Sequence, residues 1–124
     1  MILVVDDDLQ VATFLTDALS GEGYEVMWAE DGVQAYDLAR RPECKLMLLD
    51  LQMPRINGVE LLLAMKSDGI MVPTIVMTGL TDMRESEALR LPSVRAFLRK
   101  PFSFATLESL VRDVLGKPAK PGPG

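Results

Sequence analysis

The 124-residue sequence predicts an α/β fold, a parallel β-sheet with helices on both faces. Three observations predict it. Five short apolar segments alternate with five segments of helical character, and that alternation builds parallel sheets through crossover connections. The runs at 2–5 and 46–49 are apolar at every position, as in strands covered on both faces. Charged and hydroxyl residues gather where the apolar runs stop, the rim at which open α/β sheets bind ligands.

The first strand is ILVV at residues 2–5, and acids follow it at once. Val11, Phe14, Leu15, Ala18 and Leu19 then recur at helical spacing, the pattern of an amphipathic helix. Gly21 and Gly23 stand where that helix should stop, as glycine does past a helix end. Residues 25–29 (EVMWA) read as the second strand. Asp31 and Gly32 signal a turn, and Val33, Tyr36 and Ala39 a short second helix ending near residues 41–42. KLMLLDL at 45–51 is the third strand, apolar except for Asp50 near its end. Pro54, Asn57 and Gly58 mark a loop. Val59, Leu62, Leu63 and Met65 start a third helix that stops at residues 68–69, and VPTIVMT at 72–78 is the fourth strand. Residues 82–91 read as a short fourth helix, 96–99 as the fifth strand, and Phe104, Leu107, Leu110, Val111, Val114 and Leu115 as the last helix. The segment 116–124 holds six Gly or Pro in nine residues. The expected organisation is therefore one domain over residues 1–116 and a disordered tail or linker over 117–124.

Composition narrows the chemistry. The formal net charge is −5, with no His and one Cys, Cys44. The absence of His excludes Ser-His-Asp and Cys-His nucleophile systems, the common Zn sites and phosphocarrier histidines. One Cys excludes a disulfide framework, and the acidic balance argues against direct nucleic-acid binding by this domain. No apolar run approaches the roughly 18 residues of a membrane span. A cytoplasmic location is expected, consistent with the lone Cys. The remaining equipment is carboxylate, hydroxyl, Lys and Arg, a set suited to a hard cation and phosphate.

The predicted rim concentrates that equipment. Strand one ends in Asp6, Asp7 and Asp8, strand three in Asp50, strand four in Thr78 and Gly79, and strand five in Lys100 and Pro101. A carboxylate inside LMLLDLQM is costly to bury unless it is paired or cation-bound. Asp8 has a second reading as a helix N-cap. Trp28 and Tyr36 read as packing residues, and the eight methionines as core filler.

VVDD at 4–7, LLDLQMP at 48–54 with Gly58, MTG at 77–79 and KPF at 100–102 stand in this order, each at a strand end. In this the chain resembles the receiver domains of two-component response regulators. The resemblance implies a flavodoxin-like doubly wound sheet of five parallel strands in the order 2-1-3-4-5, with five helices. It implies that Asp50 accepts a phosphoryl group from a phosphohistidine donor. Mg²⁺, with Mn²⁺ as substitute, would be held by Asp7, Asp50 and the backbone carbonyl of Gln52, with Asp6 acting through water. Lys100 would set a positive charge on the phosphoryl oxygens and Thr78 a hydroxyl hydrogen bond. Phe97 would be the switch aromatic, although a plain core role is also open to it. The surface of the fourth helix, fifth strand and fifth helix would carry the signal.

The implied partners are a cognate histidine kinase or phosphotransfer protein and an output domain or target protein, with a phosphorylation-linked homodimer compatible and no membrane involved. Such a domain is not a metabolic enzyme; it catalyses only its own phosphorylation and slow dephosphorylation. Two other readings stay open on the residues. A Mg²⁺ phosphohydrolase of the haloacid-dehalogenase type would carry an acid two residues after its nucleophile, where this chain has Gln52. A docking module that does not depend on phosphorylation would not need the complete set of rim residues.

Overall fold

All four residues of Ile2–Val5 and all five of Leu46–Asp50 and Thr74–Thr78 are buried. A central sheet with helices on both faces provides that cover. The structure, a computed structural model, describes residues 1–53, 56–79 and 90–116. In chain order the elements are β1 (Ile2–Val5), α1 (Leu9–Gly21), β2 (Val26–Ala29), α2 (Gly32–Ala39), β3 (Leu46–Asp50), β4 (Gln52–Met53), β5 (Ile56–Asn57), α3 (Gly58–Ser67), β6 (Thr74–Thr78), β7 (Val94–Arg99) and α4 (Phe104–Leu115). The main sheet has five strands in the order β2-β1-β3-β6-β7, all parallel. With β6 and β7 as its fourth and fifth strands, this is the expected 2-1-3-4-5 order.

Strand side chains alternate between faces, and the core divides accordingly. Ile2, Val4, Leu46, Leu48, Ile75, Met77 and Leu98 pack with Ala12, Leu15 and Leu19 of α1 and Leu107 and Val111 of α4. Leu3, Val5, Met47, Leu49 and Val76 pack on the other face with Ala35 and Ala39 of α2 and Val59, Leu62 and Met65 of α3. Burying side chains of this size contributes about 1.5–3 kcal/mol each, so both faces hold the sheet.

The helix ends follow local chemistry. Asp8, Asp31 and Ser103 accept backbone N–H bonds at the starts of α1, α2 and α4, meeting donors that have no partner within the helix. Gly69 follows α3 with a φ of 76°, where a side chain would be strained. A Cβ on Gly58, where α3 begins, would lie 2.9 Å from Leu51 Cδ2 and 3.4 Å from the Leu51 Cα. A side chain here would have to displace the buried Leu51 side chain, so glycine lets this helix start close to the end of β3.

Some boundaries move. The fourth strand starts at Thr74 rather than residue 72, because Pro73 has no N–H to give the ladder; its carbonyl accepts from Met47 N instead. The fifth strand starts at Val94, two residues earlier than expected. Where a loop was expected after Asp50, β4 and β5 pair antiparallel, Gln52 with Asn57 and Met53 with Ile56. Four helices lie among the described residues, against the five expected. Most of the expected fourth helix (residues 82–89) lies outside them, as do Pro54 and the expected tail at 117–124. Arg90 is in a turn and Leu91 is buried in the α2/α3 core, so the helix expected to run to residue 91 does not extend that far. Among the described residues, no helix is long and apolar enough to cross a membrane.

Candidate functional site

β1 and β3 are neighbours in the sheet and β7 lies beyond β6, and their carboxyl ends bring the rim residues together. Alternation puts Asp6 in step with Ile2 and Val4, Asp50 with Leu46 and Leu48, and Lys100 with Leu98. All three belong to the face covered by α1 and α4. The Lys100 ammonium lies 3.2 Å from Asp50 Oδ2 and 3.4 Å from Asp6 Oδ2. Carboxylate oxygens of Asp6, Asp7 and Asp50 all lie within 4.8 Å of one another. Asp6 is fully buried, Asp50 is 4% exposed, and Asp7 faces solvent.

Residues 6–8 are held from three sides. Asp6 N donates to Ala29 O at 3.3 Å, Asp8 N donates to Asp6 Oδ1 at 2.9 Å, and Trp28 Nε1 donates to Asp6 O at 2.7 Å. Asp8 turns its own carboxylate away to cap α1, accepting from Gln10 N at 2.9 Å and Val11 N at 3.4 Å. The three consecutive acids thus separate. Asp6 points inward, Asp7 lies at the mouth, and Asp8 serves the helix.

Burial raises the Asp6 pKa above the usual carboxylate range, and the Asp50 charge adds to the rise. The Asp8 N–H and the Lys100 ammonium act in the opposite direction. Three carboxylates face one ammonium, so the cluster carries an excess of negative charge on hard oxygen donors. That donor set fits a hard divalent cation such as Mg²⁺, with Asp6, Asp7 and Asp50 as the side chains able to hold it. Next to Asp50, the backbone of β4 begins at Gln52.

Thr78 is fully buried at the end of β6. It follows Met77, the register partner of Asp50, and its carbonyl accepts from Lys100 N at 2.7 Å. By alternation Thr78 shares the α2/α3 face with Val76, the register partner of Phe97. Phe97 is half-buried and packs against that core. Every described rim residue singled out in the sequence therefore lies at one end of one sheet.

The model of the response regulator receiver domain matches residues 2–112. The chain belongs to the response regulator receiver family. Among curated relatives, response regulator MprA of Mycobacterium sp. (strain KMS) is 37% identical over 114 residues, which make up 92% of this chain and 50% of the relative. MprA of Mycobacterium leprae (strain TN) is 35% identical over the same shares. The chain spans about half the length of these curated relatives. Among solved structures, a signal receiver domain from Bermanella marisrubri superimposes with a TM-score of 0.85 at 27% identity, covering 92% of this chain and 96% of that one. Response regulator TrrA of Thermotoga maritima, solved in complex with Mg²⁺–BeF, gives 0.80 at 29% identity, covering 92% and 97%.

In this receiver domain, Trp28 packs against the α1/α4 core, as the sequence suggests. Its indole N–H also reaches the backbone of Asp6, a contact that was not expected. The available signal was positional: Trp28 pairs with Val4 across β1 and β2, two residues before Asp6. That the ring would turn its N–H toward the rim follows from the rotamer, which the sequence pattern does not encode.

Proposed function

We propose that this receiver domain is a phosphorylation-activated switch with Asp50 as phosphoacceptor. The observation that carries the reading is the convergence of Asp6, Asp7 and Asp50 within 4.8 Å, with the Lys100 ammonium paired to Asp6 and Asp50. An Asp50 carboxylate oxygen attacks the phosphorus of a phosphohistidine on a kinase or phosphotransfer protein. The P–N bond breaks, the imidazole nitrogen keeps the electron pair and takes a proton, and Asp50 becomes an acyl phosphate. Asp7, Asp50 and the Gln52 carbonyl would hold Mg²⁺ or Mn²⁺, with Asp6 acting through water, and the cation would supply charge neutralisation for the transferring oxygens. Lys100 adds a second positive charge to the same oxygens, and the Thr78 hydroxyl donates to them.

Phe97 then repacks behind Thr78, and the surface of β7 and α4 changes shape. That face controls an output domain or a separate target, and a phosphorylation-linked homodimer is compatible with it. The relatives' greater length supports the output domain, and the Mg²⁺–BeF complex of the Thermotoga relative supports the cation and phosphoryl mimic. The reducing cytoplasm suits the buried Cys44 thiol.

Asp50→Asn tests the assignment. The variant should take no label from radiolabelled acetyl phosphate with Mg²⁺ while its fold, read by circular dichroism, is unchanged. Labelling of the variant at the wild-type rate would remove Asp50 from the role.

A further inference from the structure

We propose that Trp28 is a positioning residue for the cation site, acting through the peptide between Asp6 and Asp7. This rests on the reading that the acidic cluster holds a divalent cation. The backbone carbonyl of Asp6 lies just past the end of β1, and the indole Nε1 donates to it at 2.7 Å. A peptide group is planar. Fixing its oxygen therefore fixes both the direction in which Asp7 leaves the strand and the turn that brings Asp6 inward. The Asp6 N–H is tied to Ala29 O, so two consecutive residues of β2 hold both ends of the Asp6 backbone.

The ring is placed to do this firmly. It packs against the α1/α4 core and pairs across the sheet with Val4. Its exposed side opens on a cavity of about 190 Å³ lined by Ala12, Thr13, Thr16 and Asp17 of α1. The indole thus links the edge strand, α1 and the acid-bearing turn. A packing role alone would need the ring but not its N–H.

The test separates the ring from its donor. Trp28 is the sole tryptophan, so biosynthetic replacement with benzothienylalanine substitutes sulfur for N–H at this position alone and keeps the shape. Trp28→Phe is the second variant. Binding is read with Mn²⁺ by the electron paramagnetic resonance of the free ion, with Mg²⁺ as competitor, and thermal melts in EDTA report the fold. The sulfur isostere should bind Mn²⁺ and Mg²⁺ about fivefold more weakly, the scale of one ordinary hydrogen bond, and should still unfold in EDTA in one cooperative transition, lowered by no more than the loss of that bond, which the metal-free fold already makes. Wild-type affinity in the isostere would overturn the proposal, even if Trp28→Phe were weakened through lost packing. Absence of Mn²⁺ binding by the wild type would overturn the cation reading itself, and the proposal with it.

Discussion

Asp6 carries its carboxylate in an unfavourable place. Its carboxylate is fully buried and close to that of Asp50, and burial is the main reason its pKa is raised. Without a bound cation, the folded chain holds the Asp6 proton to higher pH than the unfolded chain does. Folding therefore takes up a proton in that interval, and stability falls as pH rises from the ordinary carboxylate range through the raised value. Asp6→Asn keeps the shape and the bond from Asp8 N but removes the charge. In EDTA the variant should be about 1 kcal/mol more stable than wild type at neutral pH, because a buried charge is replaced by a hydrogen-bonding neutral group. Its advantage should disappear in acid, where Asp6 is protonated in both folded and unfolded wild type. Urea unfolding at the two pH values measures both. A variant less stable than wild type at neutral pH would mean that the ion pair with Lys100 outweighs desolvation.

The turn from β1 into α1 shows what a short sequence can and cannot reveal about an element. Residues 6–8 are three identical letters with three different positions. Asp8 was legible, because N-capping follows from its place just before a helical repeat. The inward turn of Asp6 was not, since it depends on which face of β1 the chain leaves from and on bonds from β2. Asp8→Ala and Asp7→Ala should therefore behave as opposites. Loss of the cap bonds to Gln10 and Val11 should cost about 1 kcal/mol of stability. Labelling by acetyl phosphate should persist, since Asp8 reaches the site through its N–H. Asp7 is exposed, so Asp7→Ala should leave urea unfolding in EDTA nearly unchanged and lose Mg²⁺-dependent labelling. If Asp8→Ala lost labelling at full stability, the division of labour between these neighbours would be wrong. The β4–β5 pair was illegible for another reason. Each strand is two residues long, too short for a period to register.

At the scale of the whole molecule, the strand order and the rim were both legible, because wholly apolar runs ending in charged residues have few arrangements in an α/β sheet. The boundary at residues 90–91 was not, because residues 82–91 carry weak periodicity. The clustered acids leave the carboxyl ends of β1 and β3, which pair over Ile2–Val5 and residues 46–49 and join both halves of the core. A cation bridging those two strand ends can bind only while the sheet is intact, so binding must stabilise the entire domain rather than a loop. With Mg²⁺ at a hundredfold excess over its Kd, linkage gives about 2.7 kcal/mol, which for a domain of this size is a rise in Tm of about 10 °C. EDTA should reverse it. The unfolding transition should stay single and keep its denaturant slope, because the same surface is exposed with or without the ion. Asp7→Ala and Asp50→Asn should each remove most of the rise, and the same rise in both variants would place the cation elsewhere on this acidic chain. High monovalent salt should shrink the rise only partly, since two of the three carboxylates are buried and buried charges are poorly screened.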